Sequence, residues 1–486
     1  MHITPSQPGA DSPQAAEPKP TAFSRRWFLV AAGILAAFAV PKWFQHASMF
    51  SHIYDTGIYD NLVANLATGR GYWSSILERH HLGEHFSPIV LAFVPLYWAW
   101  PDARWLLVAQ GIGQAIAVLL AGRYAVALCR QRGAAAPAWL IATAIALAFF
   151  YRPWLGAYAF EFQPINLGMP MTMAALVALA ERRWRWFVAM CLLLATTRES
   201  AALTVAGFGV VAWLQQRRPR LAAGLVASSC VLAAFTMLVV MPAFRDQAAW
   251  AHVDRIAPWD HWDDKALYLF SLVAWLLFLP LLGWRVAAGA LPGVALNLSV
   301  HAGQYSMNCH YDAQLGAFLV AGGVLGLVRL APKLEAVASR ATRAWKPPAR
   351  RLAVAAALAF LAAGLALRVH AVLPKHHLIG RLVTGELLFP APERRQIQAA
   401  LADLPVDPGE TLVMGFYAGA QACHRFEFIP LHENHHLPPP RLDLRPGLWV
   451  WTSIDGSPWL HQRMLNGPEF DVLQASPHLV VARVAP

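Results

Sequence analysis

The stretch YDTGIYDNLVANLATGRG, residues 54–71, follows the first apolar segment of the chain and is itself followed by LGEHFSP, residues 82–88. Apolar side chains recur in it at helical spacing and two glycines end the pattern, at Ile58, Leu62, Leu66, Gly69 and Gly71. We therefore expect an amphipathic helix at a membrane surface, with acids and histidines beside it. In a membrane-embedded enzyme, such a segment would present the reaction centre on the non-cytoplasmic side.

The composition of the chain indicates its broad class. Its 486 residues are 57% hydrophobic and only 14% charged, which is typical of a polytopic membrane protein. Because each span needs ~20 apolar residues, about eleven transmembrane helices are expected. They lie near 26–44, 104–128, 136–151, 167–181, 186–197, 200–215, 219–242, 266–283, 286–300, 312–330 and 351–372.

Basic residues give the chain a formal net charge of +11, and their positions favour a membrane over a nucleic acid as the partner. They flank apolar segments, as in cytoplasmic loops that retain positive charge, and they cluster at 25–26, 130–132, 182–185, 217–220 and 329–351. With these clusters inside, the polar segments that hold most acids and histidines lie outside. These are 45–86, 152–166, the turn at Arg198, 243–265, 301–311 and everything after 373.

Some apolar segments are too short for an ordinary crossing. Residues 87–100 contain two prolines, and we expect a partly inserted helix that lies against the bundle. Residues 186–197 and 200–215 are also short. One long helix in their place would put Arg198 at the bilayer centre, where an ionised side chain costs at least ~2.5–3.5 kcal/mol. A hairpin with Arg198 near its outer turn is therefore expected.

The composition divides the chain into three parts. Residues 1–24 are rich in Pro, Ala, Ser and Gln and are expected to form a disordered cytoplasmic tail. Residues 25–373 form the membrane part, and residues 374–486 are more polar, which indicates a small external α/β domain. Its expected elements are a helix at 393–404 and strands at 411–416, 448–453 and 478–484. The predicted fold is an all-α polytopic membrane bundle with a small C-terminal external α/β domain.

The stretch HENHH, residues 432–436, matches the H-E-x-x-H pattern of zinc proteases. Prolines at 430 and 438–440 leave almost no room for the helix that such a site needs. A solvated loop is the better interpretation, and an adventitious metal site on these histidines stays open.

Two acids in the opening stretch are candidates for a general base. Asp55 stands at the start of the expected helix and Asp60 in its first turns, each beside a tyrosine. On an ordinary soluble helix, Asp55 would be a cap and Asp60 would be solvated. Here the segment joins a membrane helix and precedes Glu84 and His85. A carboxylate near such low-dielectric surroundings is suited to take a proton from a hydroxyl group.

Three further polar clusters are expected on the same side. Glu161, in FEFQP, is either an interfacial anchor among aromatic residues or part of a site. Arg198 beside Glu199 suits a bidentate phosphate contact, or else forms an internal ion pair. His310 and Asp312 stand at the mouth of a helix, where a histidine is often only interfacial.

Five stretches in this order resemble a family of bacterial predicted membrane proteins: YDTGIYDNLVANLATGRG, LGEHFSPIVLAFVPLY, FEFQP, TRESAALTVAGFGV and HYDAQLGAFLVAGGVLGL. The family is called domain of unknown function 2079, and the resemblance covers most of residues 50–330. It is in turn similar to the C-type glycosyltransferases, which transfer sugars from polyprenyl-phosphate donors on the outer face of the membrane. The resemblance implies that Asp55 is the general base and Asp60 the reserve. Thr56 stands where those enzymes carry a second acid.

This resemblance implies an inverting sugar transfer. The phosphate of a lipid-linked sugar would be neutralised by Arg198 and Arg152, while Asp55 removes a proton from an acceptor that arrives from outside. Other polar residues would orient the substrates or hold a divalent cation, Mg²⁺ or Mn²⁺, which carboxylates suit: Glu84, His85, Glu161, Glu199, His310 and Asp312.

The expected partners are a polyprenyl-phosphate-linked sugar, membrane lipid and an external acceptor, and no nucleic acid. The expected location is the bacterial inner membrane, with the N-terminus cytoplasmic and the C-terminal domain periplasmic or extracellular. A transporter or lipid flippase would also explain acids and arginines within a bundle, but it predicts inverted repeats, and the sequence displays none. A non-catalytic assembly protein would have dispensable acids.

Overall fold

A computed structural model describes residues 25–245, 256, 258–300, 302–341, 356–357, 378–407, 410–424, 427–430 and 444–485. Three sequence predictions fall outside these residues: the tail 1–24, the span at 351–372 apart from 356–357, and HENHH at 432–436. Most of the described residues are helical.

The N-terminal part consists of helices joined by short turns. They are α1 (Arg25–Ala47), α2 (Ile58–Ala67), α3 (Val94–Ala99), α4 (Arg104–Arg130), α5 (Ala138–Phe149), α6 (Arg152–Ala159), α7 (Pro164–Ala180), α8 (Trp184–Ala195), α9 (Ala201–Leu214), α10 (Pro219–Ala234), α11 (Met241–Ala243), α12 (Trp262–Ala274), α13 (Leu279–Leu282), α14 (Trp284–Ala287), α15 (Leu291–Ser299) and α16 (Ala313–Ala341). A two-stranded hairpin, β1 (Trp73–Ser74) with β2 (Arg79–His80), follows α2.

Among the described residues, four helices are long and apolar enough to cross a membrane: Trp27–Ala47, Arg104–Arg130, Pro219–Ala243 and His310–Val337. The pair α5 and α6, bent by 51°, makes a fifth if it is one span. The expected number of about eleven transmembrane helices is therefore not confirmed. Several of the others are shorter apolar helices, such as α7, α8 and α9.

The bundle packs around α4, α7 and α16. Its core is made of small and aromatic side chains, and Gly322 lies so close to α14 that a Cβ there would approach the Ala287 side chain to 2.7 Å. Small residues permit this close contact between membrane helices. The packing brings the start of α7, the turn between α8 and α9, and the segment before α16 to one end of the bundle.

Residues 87–100 form a short helical stretch, a 3-10 turn at Pro88–Phe93 followed by α3. This stretch packs against α2 through Val90, Val94 and Tyr97. Six residues of 3-10 helix and six of α-helix rise roughly 21 Å in total, which is short of the ~30 Å hydrocarbon core. Residues 186–215 form two helices, as expected, with Arg198 in the turn between them.

The C-terminal part is a five-stranded mixed sheet with helices. Its elements are α17 (Leu378–Val383), α18 (Pro392–Ala402), β3 (Thr411–Met414), α19 (Phe416–Gly419), β4 (Glu427–Pro430), β5 (Gly447–Thr452), α20 (Pro458–Asn466), β6 (Asp471–Ser476) and β7 (Leu479–Val484). The strand order is β4-β3-β5-β7-β6; β4, β3 and β5 are parallel, and β7 is antiparallel to both of its neighbours.

The segment around Asp55 shares a hydrophobic core with this sheet. Met49, Ile53 and Ile58 pack with residues of β3 and β5 and with α18. Helix α20 covers the opposite face, where Trp449 and Leu460 are buried. The loop that carries the candidate acids is thus held between the bundle and the C-terminal sheet.

Candidate functional site

Asp55 lies in a π-helical turn, Ile53–Gly57, that leads into α2. Its side chain is 20% exposed and accepts a hydrogen bond of 2.5 Å from Nε2 of Gln163. The Nε2 atom of His52 lies 3.7 Å from the other carboxylate oxygen. Burial raises the pKa of Asp55 to about 6, with the charge of Glu161 adding to the rise and His52 opposing it. Asp55 therefore titrates close to neutral pH, which suits a general base.

Glu161 is the second acid at this position, 4% exposed in the segment between α6 and α7. It accepts hydrogen bonds from the Thr56 hydroxyl and, at 2.9 Å, from Gln45 Nε2. His52 Nε2 lies 3.9 Å from it, so the same imidazole stands between Asp55 and Glu161. Burial raises the pKa of Glu161 above its usual range, against the lowering effect of the Thr56 hydrogen bond.

Arg198 occupies the turn between α8 and α9 and is 12% exposed. Its guanidinium donates to Nε2 of His310 at 3.0 Å, to Nε2 of His85 at 2.9 Å and to the Gln163 carbonyl oxygen at 3.4 Å. Glu199 lies 3.4 Å away. The structure thus brings together residues that are more than a hundred positions apart in the sequence.

The hydrogen bonds fix the tautomers of both histidines. A guanidinium only donates, so Nε2 of His85 and of His310 must accept, and each neutral ring then carries its proton on Nδ1. For His85, this Nδ1–H donates to Glu199 at 3.0 Å. Burial alone would raise the pKa of Glu199, but His85 and Arg198 hold that pKa well below its usual range. Arg198 is therefore braced by an ionised carboxylate.

Gln163 connects the two halves of the site, and sequence reasoning missed it. Its amide nitrogen donates to Asp55, and its amide oxygen accepts from Arg198. The residue precedes Pro164, which begins α7, and its backbone N–H donates to Gln110 of α4 at 3.0 Å. The signal was present in FEFQP, where only the ionisable residue was considered. For His52 the sequence contains no such signal, since nothing in it pairs this residue with either acid.

Two buried donors near the site lack a partner among the described residues. One is Nδ1–H of His310, a residue that is 4% exposed and contacts the Phe160 ring at 5.2 Å. The other is Nη1 of Arg152, whose Nη2 donates to Asn308. Buried donors of this kind are suited to an anionic ligand that supplies acceptors.

The remaining predicted residues lie elsewhere. Asp60 is fully buried and accepts from Tyr97 at 2.5 Å, with His424 Nδ1 at 2.9 Å and the Cys423 thiol at 3.3 Å. Its surroundings form a contact between α2 and the C-terminal part, away from Asp55.

Asp312 and Glu84 also have separate partners. Asp312 accepts from the Tyr268 hydroxyl at 2.6 Å and from Asn297 at 3.0 Å, inside the bundle. Glu84 lies 3.4 Å from Arg79 of the hairpin. Both carboxylates therefore have partners other than Asp55 and Arg198.

A cavity of about 230 Å³ adjoins Glu161. It lies between the bundle and the C-terminal part, and its lining includes His52, Glu161, Asn308, Arg381 and Tyr417. Polar groups from both parts of the chain converge here, which is typical of a binding site for a small polar molecule.

No group of three or more His, Cys, Asp or Glu side chains within the described ranges is placed to hold a metal ion. Asp55 and Glu161 instead engage amide and hydroxyl donors. The divalent cation, Mg²⁺ or Mn²⁺, stays a prediction.

The fold is similar to that of a solved membrane protein. The crystal structure of ArnT from Cupriavidus metallidurans bound to undecaprenyl phosphate superposes with a TM-score of 0.54 at 11% sequence identity, over 94% of this chain and 98% of that chain. Its structure in the apo state gives the same TM-score at 12% identity, with the same coverage. At these identities the likeness concerns the fold alone. No curated protein matches the sequence.

A family model describes part of the chain directly. The model for DUF2079, a predicted membrane protein, matches residues 45–255, which include Asp55, Glu161 and Arg198. The resemblance inferred from the sequence motifs is therefore confirmed over residues 45–255, which match the DUF2079 model of predicted membrane proteins, within a chain whose fold resembles that of ArnT.

Proposed function

We propose that the protein is a membrane glycosyltransferase that moves a sugar from a polyprenyl-phosphate donor to an acceptor on the non-cytoplasmic face. One observation carries the proposal: Gln163 joins a carboxylate with a near-neutral pKa, Asp55, to a braced guanidinium, Arg198. Sugar transfer needs these two groups side by side, a base for the acceptor and a cation for the departing phosphate.

Each group then has one task in the transfer. Asp55 removes the proton of the acceptor hydroxyl, and the oxygen attacks the anomeric carbon from the side opposite the phosphate. The bond between that carbon and the phosphate oxygen breaks, and the lipid phosphate leaves with the electron pair. Arg198 and Nδ1–H of His310 stabilise the negative charge that develops on it. Attack opposite the leaving group inverts the anomeric configuration.

Arg152 and the cavity have supporting tasks in this proposal. Nη1 of Arg152 would donate to the same lipid phosphate, consistent with its lack of a partner among the described residues. The acceptor would enter the cavity of about 230 Å³, where Arg381 and Tyr417 reach it from the C-terminal part. Acceptor choice would then depend on that part of the chain.

Two resemblances support the proposal. The sequence motifs are similar to those of C-type glycosyltransferases, and the ArnT structure of similar fold was solved with undecaprenyl phosphate. The latter supports a polyprenyl lipid as the ligand class.

The test is donor consumption by the purified protein in lipid nanodiscs. A panel of radiolabelled polyprenyl-phosphate sugars is offered with envelope extract as the acceptor source, and release of polyprenyl phosphate is measured. We expect one donor to be consumed, and Asp55→Asn to lower its rate by roughly 10²- to 10⁴-fold. The matched control is Asp403→Asn, a change of the same kind at an exposed position beside α18. Full activity of a folded Asp55→Asn variant would exclude Asp55 as the base.

The rival function, a transporter or lipid flippase, makes a different prediction in the same nanodisc and in vesicles. It moves the donor lipid between leaflets while the bond between sugar and phosphate stays intact. Transbilayer movement of a labelled donor without release of polyprenyl phosphate would favour that function.

A further inference from the structure

A second cavity, of about 760 Å³, lies at the far end of the helices that carry the candidate site. The turn after α7 and the turn after α9 line it, together with the last turn of α4. Gln163 precedes α7 and Arg198 follows α8, whereas the cavity adjoins the opposite ends of both helices. Helices of 17 and 12 residues separate the two places by roughly 18–25 Å.

The charge on the cavity wall is strongly positive. Its lining includes four arginines and one acid: Arg130, Arg182, Arg183, Arg218 and Glu181. The acid is already paired, with Arg123 at 2.5 Å and Arg183 at 3.1 Å. Within the described residues, no carboxylate forms an ion pair with Arg130, Arg182 or Arg218. A concave surface with three such cations attracts an anion.

The two turns repeat one conformation. Arg182 and Arg217 both adopt left-handed backbone angles, with φ of 57° at each, which residues other than glycine rarely do. In each turn a second arginine follows, Arg183 or Arg218, and then the next helix begins. The guanidinium of Arg218 lies over the Trp184 ring at 4.9 Å, which holds it at the cavity.

The cavity lies at the level expected for lipid headgroups. Trp186 and Trp213, on the helices that flank it, are 62% and 61% exposed, and exposed tryptophans mark the interface between membrane and water. Its lining also contains apolar side chains, among them Leu128, Leu176 and Val211. Basic pockets between membrane helices at this depth suit phosphate headgroups.

The amide oxygen of Gln215 indicates a second chemical group of the ligand, besides the phosphate. The amide oxygen of Gln215, in the cavity lining, is buried and accepts no hydrogen bond within the described residues. A hydroxyl group would satisfy it. The combination of arginines and an open acceptor fits a phosphodiester that carries hydroxyl groups.

We propose that this cavity binds a phosphate-bearing glycerol headgroup, with the phosphate on Arg182 and Arg218 and a hydroxyl on Gln215. The ligand is an anionic glycerophospholipid of the leaflet opposite the candidate site, or a soluble glycerol phosphate of the same chemistry. This site is separate from the proposed transfer site, and its occupancy does not require sugar transfer.

The experiment measures lipid retention by native mass spectrometry of the full chain, released from nanodiscs that contain phosphatidylcholine and phosphatidylglycerol. We expect wild type to retain phosphatidylglycerol and Arg182→Gln/Arg218→Gln to retain at least tenfold less. The control is Arg217→Gln/Arg220→Gln, which removes the same charge from neighbouring exposed positions outside the cavity lining. Equal thermal unfolding of the three proteins shows that the fold is kept.

A second arm distinguishes the source of the phosphate. Glycerol 3-phosphate is added to the nanodiscs, and displacement of phosphatidylglycerol at equimolar concentration would assign the same site to a soluble ester. Persistence of the lipid would assign the site to the membrane. Equal retention by wild type and Arg182→Gln/Arg218→Gln, or an equal loss in the control, would overturn the proposal.

Discussion

At the scale of single residues, the site depends on a neutral amide. Gln163 is the residue through which Asp55 and Arg198 are connected, and an amide can donate at one end and accept at the other. A carboxylate there would repel Asp55, and an apolar side chain would leave both ends of the connection without partners. The chemistry of the ionisable groups therefore depends on a residue that does not titrate.

The pKa of Asp55 predicts how donor consumption depends on pH. A base acts only when it is deprotonated, and burial raises the pKa of Asp55 to about 6. The rate is therefore expected to fall as the pH drops through about 6. Above pH 7, titration of Asp55 should no longer change the rate. Initial rates in nanodiscs between pH 4.5 and 8 measure it. A rate that is unchanged down to pH 4.5 would contradict the assignment.

Gln163→Leu is expected to shift the pH at which the rate begins to fall. The hydrogen bond from Gln163 lowers the pKa of Asp55, so its loss should raise that pKa further. The rate would then begin to fall at a higher pH, while the maximum rate at high pH changes less. Gln421→Leu is a control amide, since Gln421 contacts His46 and not the acids. An unshifted profile would limit Gln163 to a packing role.

The charged members of the site are predictable from the sequence, whereas the residue that connects them is not. Asp55, Glu161, Arg198 and His310 are ionisable residues near membrane helices, where such side chains are costly and usually functional. Asp60 is the reserve candidate in the sequence, because it follows Asp55 on the same expected helix and also stands beside a tyrosine. The structure separates them because α2 turns Asp60 toward Tyr97 and the C-terminal part.

At the scale of elements, α2 is one of the contacts between the bundle and the C-terminal part. Its first turn follows Asp55, and its Asp60 receives hydrogen bonds from Tyr97 on α3 and from His424. On the same helix, Asn61 donates to the Cys423 carbonyl at 2.8 Å. The position of the base therefore depends on how the C-terminal part is seated.

Asp60→Asn is expected to weaken this contact. Asp60 is fully buried, and its replacement leaves donors without a charged acceptor, a loss of about 3 kcal/mol. Thermal unfolding of the full chain should shift downward, and protease cleavage between the bundle and the C-terminal part should become faster. Asp403→Asn is again the exposed control. Unchanged unfolding and cleavage would show that the contact contributes nothing.

The elements were predicted best where periodicity was uniform. The helix α18 and the strands β3, β5 and β7 occur close to their expected places, since buried apolar runs identify them. The edge strand β6 was missed because all six of its residues are exposed, which removes the alternation that marks a strand.

Backbone breaks account for the other differences. The span expected at 136–151 ends at Phe149 and bends by 51° into α6, where Pro153 restricts the residue before it. The span expected at 266–283 ends at Ala274, and the left-handed residues Leu277 and Phe278 follow. Side-chain hydrophobicity alone does not reveal such breaks.

At the scale of the whole molecule, the two cavities lie at opposite ends of the bundle and differ in charge. The lining of the cavity of about 230 Å³ contains one acid and one arginine, Glu161 and Arg381, whereas the lining of the cavity of about 760 Å³ contains four arginines and one acid. Positively charged loops stay in the cytoplasm. This asymmetry supports the orientation proposed from the sequence, with the candidate site outside.

The orientation predicts which positions a membrane-impermeant maleimide reaches in intact cells. Asp403→Cys should be labelled directly, because the C-terminal part would lie outside. Arg217→Cys should be labelled only after permeabilisation, because its turn would lie inside. Wild type, which carries five cysteines, is the control for background labelling. The opposite pattern would invert the topology and place the candidate site in the cytoplasm.

The short hairpin of α8 and α9 has a consequence for the bilayer itself. Helices of 12 and 14 residues rise only roughly 18 and 21 Å, while the hydrocarbon core is ~30 Å thick. Lipid beside a hydrophobic mismatch of this size compresses, and the outer headgroup plane dips toward the protein. Arg198, at the tip of the hairpin, would then lie at the floor of a local depression. A long-chain donor would slide its phosphate to the guanidinium without lifting its tail out of the membrane.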